Sequence, residues 1–332
     1  MNSTLRFATN QFPLSFLSFR YSSFNYGIKR TLTEPNILRG HIRMKLLKDL
    51  NDIVGRRIHQ NKGANVMEND WDILIILDAC RYDTFEEINY FDGSLSQIYS
   101  IAPETSRFLK RTFHNQQFHD TVYVSGNPKI PAEIPDQTFH KVIPVWQKEW
   151  DDEVDSVQPD SVTKYAKSAL DDFPNKRIII HYMQPHMPLI GDEGHQFMFD
   201  NELCNGQSRE WLKISWALRY GLIDISDREL YRLYEENLRV ALESIENLIT
   251  DIDGKIVVTS DHGELLGDRV GVIPMKGYMH PTPLHVEPLL KVPWFEISHS
   301  TRREIISEPP KSSIEVDSDK VESRLKSLGY ID

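Results

Sequence analysis

An aspartate and a histidine stand side by side at positions 261 and 262, inside KIVVTSDHGELLG, which runs from Lys255 to Gly267. A carboxylate oxygen beside an imidazole nitrogen suits a divalent metal, and Gly263 lets the backbone turn away. The plainer alternative for so short a motif is a strand-ending turn with a capping aspartate and a surface histidine. Three further stretches repeat the pattern of an apolar run meeting polar groups. Asp78 follows DILIIL, Ser125-Gly126-Asn127 follow TVYV, and His181 and His186 lie in and just after RIIIHY. Four such coincidences are harder to accept than one shared site.

The elements that would bring these residues together are legible from periodicity. The runs at 72–77, 121–124, 177–182 and 256–258 are rich in Ile and Val and read as buried strands. Residues 159–172 and 226–251 read as helices, the second opened by Asp227 and closed by Asp253-Gly254. A short helix is expected through 85–88, a loop from 263 through His280, an edge or parallel strand at 292–297, and a terminal helix at 318–328. Strands alternating with helices imply one doubly wound, mostly parallel α/β sheet. In such a sheet ligands bind at the carboxyl ends of the strands, where Asp78, Asn127, His186, Asp261 and His262 fall.

The expected organisation is an extension over 1–35, a basic helix and linker over 36–70, the main domain over 71–298, and a linker and helix over 299–332. Residues 1–35 have no acid before Glu34 and are expected to be poorly ordered, or to precede a true start at Met44. Residues 36–59 form an amphipathic pattern. Ile42, Leu46, Leu50, Ile53, Val54 and Ile58 recur at helical spacing among Arg39, Arg43, Lys45, Lys48, Arg56 and Arg57. The favoured reading packs the apolar stripe on the sheet and leaves the basic face in water; the other lays the helix on an anionic membrane surface. Residues 1–70 hold 11 Lys and Arg against 5 Asp and Glu, within a net charge of −11 for all 332 residues. An acidic body disfavours nucleic acid as a partner. Two distant cysteines, Cys80 and Cys204, make no disulfide framework, so a cytoplasmic setting is expected, peripheral at the membrane if the basic helix binds it.

The motifs together resemble the alkaline phosphatase superfamily, specifically its sulfatase-like branch, from about Trp71 to Ile297. ILIILDACRYDTF resembles the opening strand and metal carboxylate, and its D-x-x-R-x-D form resembles the phosphonate monoester hydrolases. HYMQPHMP resembles the H-x-P-H-x-P segment of sulfatases. TSDHGELLGD matches D-H-G-E-x-L-G, and KVPWFEI stands where the family has R-V-P and a final strand. The resemblance implies an alkaline-phosphatase-like fold with helices on both sheet faces. It makes Asp78, Asp261 and His262 metal ligands.

The family's nucleophile opens a helix after the first strand, where this chain reads IAPETSRFLK. Sulfatases carry Cys-x-Pro-Ser-Arg there. Neither that cysteine nor that motif is present, which speaks against formylglycine chemistry. Thr105 followed by Ser106 is similar to the Thr-Ser of lipoteichoic acid synthase-like phosphotransferases and to the Thr of nucleotide pyrophosphatases. A threonine alcohol becomes a competent nucleophile when a metal lowers its proton affinity, and a helix start adds amide donors for an anion. Thr105 is thus expected both as nucleophile and as metal ligand, with Ser106 the runner-up; the plainer reading of Thr105 is a helix cap. Arg107 either steadies the substrate's oxygens or faces solvent. His186 is expected to protonate the leaving oxygen, and His181 and Asn127 to contact substrate. His280 is a fourth metal ligand, a leaving-group acid or a plain loop histidine. Arg81 and Asp83 are expected to be a structural pair and Cys80 to be buried and inert.

The implied function is metal-dependent hydrolysis or transfer of a phosphate, phosphonate or sulfate ester. A glycan or lipid-linked substrate is suggested by the Thr-Ser pair and by Trp211, Trp216 and Tyr220. Mn²⁺ or Zn²⁺ suits a mixed oxygen and nitrogen site better than Ca²⁺ or Mg²⁺. Two alternatives stand beside it: a non-catalytic metal-binding relative and a cytosolic phosphomutase-type enzyme. The oligomeric state is left open.

Overall fold

A computed structural model describes residues 35–60, 62–201, 203, 214, 217–219, 223–250, 252–298, 301–310 and 317–327. Cys204, Trp211, Trp216 and Tyr220 lie outside the described residues, as do residues 1–34. The chain divides into two compact units, Met1–Leu50 and Asn51–Asp332. No helix among the described residues is long and apolar enough to cross a membrane.

The strands are β1 (Gly63–Ala64), β2 (Ile73–Asp78), β3 (Ser94–Ser100), β4 (Phe118–Ser125), β5 (Phe139–Pro144), β6 (Trp150–Asp151), β7 (Ser156–Val157), β8 (Arg177–Pro185), β9 (Lys255–Ser260), β10 (Leu265–Val270), β11 (Met275–Met279) and β12 (Lys291–Ser298). Eight of them form one sheet in the order β1-β3-β12-β9-β2-β8-β4-β5. Strands β9, β2, β8, β4 and β5 pair in parallel, whereas β12 runs antiparallel between β3 and β9. The expected doubly wound, mostly parallel sheet is therefore observed. The expected edge or parallel strand at 292–297 is instead an internal antiparallel one. The helices used below are α1 (Pro35–Ile58), α2 (Tyr82–Ile88), α3 (Thr105–Phe113), α4 (Pro159–Asp172), α5 (Asp192–Asp200), α6 (Asp227–Ile249) and α7 (Ser318–Ser327).

The strand period of two sorts the sheet's side chains into two cores. Ile73, Ile75, Leu77, Ile178, Ile180, Ile256 and Val258 pack with Phe85 of α2, Ala166 of α4 and Leu242 of α6. Leu74, Ile76, Ile179, Val257 and Tyr123 pack with Phe108, Leu109 and Phe113 of α3. Helices thus cover both faces. Continuing each strand by the same period puts Asp78, His181 and Asp261 all on the α3 face.

Two elements lie where no strand was expected. β3 fills part of the stretch between Asp78 and Thr105, and β10 and β11 form an antiparallel hairpin where a loop was expected. Its tip turns at Gly271, with φ of +91°, and a Cβ there would lie 2.3 Å from the Asn51 side chain. Only glycine permits both.

At the amino end of β2, Asp72 accepts hydrogen bonds from the Lys255 amide (2.8 Å) and from Arg302 Nε (2.6 Å). Burial raises the Asp72 pKa, but the Arg302 guanidinium and the Lys255 amide outweigh it and hold the group below its ordinary 3.8. A depressed carboxylate pKa contributes stability above the unfolded value and loses it as pH falls through the folded one. Asp72→Asn should cost about 1–2 kcal/mol at neutral pH, since Arg302 is half exposed. Urea melts should show that difference hold down to about pH 4 and close only below it. A gap that persists unchanged at lower pH would remove the charge from the account.

Candidate metal centre and nucleophile

β9, β2, β8 and β4 are neighbours, so their ends converge. Asp78, His181, Asp261, His262 and Thr105 are all completely buried there. Thr105 Oγ1 lies 3.4 Å from Asp78 Oδ1 and 3.2 Å from His262 Nε2. His262 Nε2 is also 3.6 Å from both Asp78 Oδ1 and Asp261 Oδ2. Its other nitrogen, Nδ1, is 2.7 Å from the Gly263 carbonyl. Nδ1 therefore carries the proton, and Nε2 turns its lone pair toward Thr105 and the carboxylates.

The turn after β9 is held tightly enough to fix these positions. Asp261 Oδ1 accepts from the amides of Ala79 (3.0 Å) and His262 (2.9 Å), and Ser100 Oγ donates to the Asp261 carbonyl. Ser260 Oγ donates to Leu77 O and accepts from the Cys80 amide. A Cβ on Gly263 would sit 2.0 Å from the Pro288 carbonyl oxygen, so the turn passes that segment only with glycine. Arg81 binds Asp83, Asp268 and the Glu264 carbonyl, as its expected structural role requires. Cys80 is buried, and burial pushes its thiol well above the usual range, so it is inert.

Among the described residues two groups could hold a cation: Asp78 with His181 and Asp261, and His186 with Glu264 and His280. Within each, the candidate ligand atoms lie within 4.8 Å of one another. The first group passes a stricter test. His181 Nε2 and Asp261 Oδ2 are buried without a hydrogen-bond partner, an arrangement that costs free energy unless a cation satisfies both. His181 Nδ1 is 2.8 Å from Tyr123 Oη, which leaves Nε2 as the ligating atom. Burial and the Asp261 charge push Asp78 well above the carboxylate range. On Asp261 burial is outweighed by His262 and His181, which hold it low. Burial also takes His181 down to about 4 and His186, helped by His280, to about 3. Both rings are thus neutral at neutral pH, the form a metal needs.

Other residues singled out in the sequence lie around these two groups. His181, expected to contact substrate, lies with the two carboxylates. Asn127, given the same role, donates from Nδ2 to Asp78 Oδ2 at 2.6 Å and so orients that carboxylate. His280, expected as a fourth metal ligand, a leaving-group acid or a plain loop histidine, is 3.1 Å from Glu264 Oε2 and in ring contact with His186. It still touches His262, with ring centroids 4.6 Å apart. Glu264, which sequence reasoning passed over although its motif was quoted, is buried and raised by that burial to about 7. His186 stays beside the centre through its amide, which donates to the Asp78 carbonyl.

The start of α3 also differs. Its N-cap is Glu104, not Thr105, and the Glu104 carboxylate accepts from the amides of Ser106 and Arg107 at 2.9 Å each. Those two donors are spent, so they do not form the anion cradle expected of this helix start. Arg107 Nε lies 3.5 Å from Glu104 Oε1, and its side chain is 36% exposed. Ser106 joins this network through its amide.

No family model matches the chain, and no curated protein does. Among solved structures it is similar to the C-terminal periplasmic domain of EptC from Escherichia coli in complex with Zn, at 14% identity over 71% of this chain and 75% of that one, with a TM-score of 0.43. It is similar to the soluble domain of lipooligosaccharide phosphoethanolamine transferase A from Neisseria meningitidis, at 12% identity over 67% and 75%, with a TM-score of 0.42. A third is the C-terminal periplasmic domain of phosphoethanolamine transferase EptC from Campylobacter jejuni, at 15% identity over 69% and 78%, with a TM-score of 0.42. These proteins are of the superfamily that the motifs resemble. Identities this low, with TM-scores below 0.5, assign no activity to this chain. The expected cytoplasmic setting is withdrawn, because both EptC structures are periplasmic domains.

Proposed function

We propose that the chain is a metal-dependent hydrolase or transferase of phosphate, phosphonate or sulfate esters, with Thr105 as its nucleophile. The observation that carries this reading is the Thr105 hydroxyl, buried at a helix start within 3.4 Å of Asp78 and 3.2 Å of His262. Asp78, His181 and Asp261 would hold a divalent ion, with His262 and Thr105 at its edge, and His186, Glu264 and His280 would hold a second. Mn²⁺ or Zn²⁺ fits these mixed donors best. Such an ion, when bound, lowers the proton affinity of an adjacent alcohol and offsets charge on the transferred group.

The chain's own residues supply the rest. Asn127 fixes Asp78, Tyr123 fixes His181, and the Gly263 carbonyl fixes His262. Thr105 Oγ1 forms the new bond to phosphorus or sulfur while the bond to the leaving oxygen breaks, and His262 Nε2 is placed to receive the Thr105 proton. The leaving oxygen departs on the His186 and His280 side and, since His186 is neutral there, takes its proton from water. Water or an acceptor alcohol then attacks the Thr105 ester and releases the hydroxyl. For the substrate we favour a lipid-linked or glycan ester, on the likeness of Thr105-Ser106 to polymer-directed phosphotransferases.

The test is a panel of aryl sulfate, phosphate mono- and diesters and a phosphonate, each with Mn²⁺, Zn²⁺, Ca²⁺ or Mg²⁺. Turnover of at least one class is expected, abolished by chelation and restored by metal. A protein that binds metal yet turns over none of them would favour the non-catalytic alternative.

A further inference from the structure

The C-terminal half of α1 docks on its own unit in an unusual sense: its polar residues are buried and its apolar ones face water. Asn51 Nδ2 donates to the Ile273 carbonyl (2.9 Å) and Asn51 Oδ1 accepts from the Ile273 amide (3.0 Å), which ties the helix to the tip of the β10–β11 hairpin. Asp52 Oδ1 accepts from the His285 amide and contacts His285 Nδ1 at 2.7 Å, while its Oδ2 holds Arg56 at 2.6 Å. At Gly55 a Cβ would meet the His285 carbonyl oxygen at 1.8 Å, so helix and loop touch backbone to backbone. Ile53 and Ile58 are left 53% and 52% exposed, with Val54 also exposed. The hairpin tip that Asn51 grips adds Val272 and Ile273, 65% and 44% exposed.

We propose that this apolar stripe and hairpin tip insert into the surface of an anionic lipid bilayer. Charge selects that occupant over the others. Arg57, one turn beyond Ile53 and Val54, is exposed within the stripe, and Arg56 and Lys62 are exposed beside it. Residues 1–34 carry Arg6, Arg20, Lys29 and Arg30 and one acid, Glu34, so they would bring like charge to it. The same stripe on a second copy would do the same. Acidic headgroups complement Arg56, Arg57 and Lys62, and the acyl boundary takes the apolar side chains. The helix also abuts the loop carrying His285, which follows His280 of the second ligand group. A bilayer held there would present an ester in its headgroup layer to the strand ends. This deepens the ester-transfer reading by naming where its substrate lies, but the docking itself does not depend on turnover.

The experiment uses the full chain and sedimentation with vesicles of phosphatidylcholine alone or with about one-third phosphatidylglycerol. Binding is expected to the anionic vesicles and to fall about tenfold or more when salt rises from roughly 0.05 to 0.5 M. Ile53→Asp/Ile58→Asp should abolish binding, and Arg57→Glu should weaken it, with melting temperature and metal content unchanged. Equal binding to neutral vesicles, no binding to either, or wild-type binding by the double Asp variant would each overturn the proposal. A shift from dimer to monomer on making that double variant would give the stripe to a second copy instead. Failure of the ester panel with intact vesicle binding would sink the chemistry and leave the docking standing.

Discussion

Thr105→Ala is expected to lower kcat/KM by about 10⁴-fold or more on whichever ester the panel identifies, because the group that forms the covalent intermediate is gone. The structure makes this a clean substitution. Thr105 is the first residue of α3, and the cap belongs to Glu104, whose bonds to the Ser106 and Arg107 amides an alanine leaves intact. The hydroxyl's own contacts are to Asp78 and His262. Helix and fold should therefore persist, and metal content should remain close to that of the wild type in the centre of Asp78, His181 and Asp261. Ser106→Ala should cost less than about tenfold, since a hydroxyl outside the reacting group contributes at most a hydrogen bond. Both are read as kcat/KM beside metal analysis and a thermal melt. Full activity in Thr105→Ala with none in Ser106→Ala would move the nucleophile by one residue.

The sheet was legible because its central strands are buried on both faces and so read as unbroken Ile and Val runs. Once those runs are parallel and adjacent, the period of two alone sets Asp78, His181 and Asp261 on the α3 face. What the sequence did not show are the elements that lack that signature. SLSQIYS of β3 is half polar because much of it is exposed, and it pairs with β12 on the side away from β9. The 265–279 hairpin follows the most recognisable motif in the chain, yet the turn at Gly271 depends on its approach to Asn51, 220 positions earlier. Glu264 needed the same kind of information, since only the fold brings it to His186 and His280. α1 misled for a physical reason. Its apolar period looks like a core seam, but Asn51, Asp52 and Gly55 dock it through specific bonds that no hydrophobic period records.

Asp261→Asn should reverse the order of stabilities according to whether metal is present. In the metal-loaded state the wild type gains stability that grows with metal affinity, about 2.7 kcal/mol when free metal stands at a hundred times Kd. The substituted side chain would keep an oxygen in place of Oδ1 to accept from the Ala79 and His262 amides, so the turn survives. It would lose the charge at Oδ2, the atom buried without a partner. Metal affinity should then fall by at least the roughly 100-fold that even outer-shell changes can cost. After chelation the sign changes. The wild type now holds two buried carboxylates whose mutual repulsion and burial push Asp78 well above its usual range, and the substitution removes one of those charges. The metal-free variant should accordingly melt no lower than the metal-free wild type at neutral pH, while the metal-loaded wild type melts well above the variant titrated with the same ion. Thermal melts of both proteins, chelated and then resupplied with Mn²⁺ or Zn²⁺, read this directly. A wild-type melting temperature indifferent to chelation and to added metal would show that Asp78, His181 and Asp261 hold no ion, and the catalytic reading would fall with it.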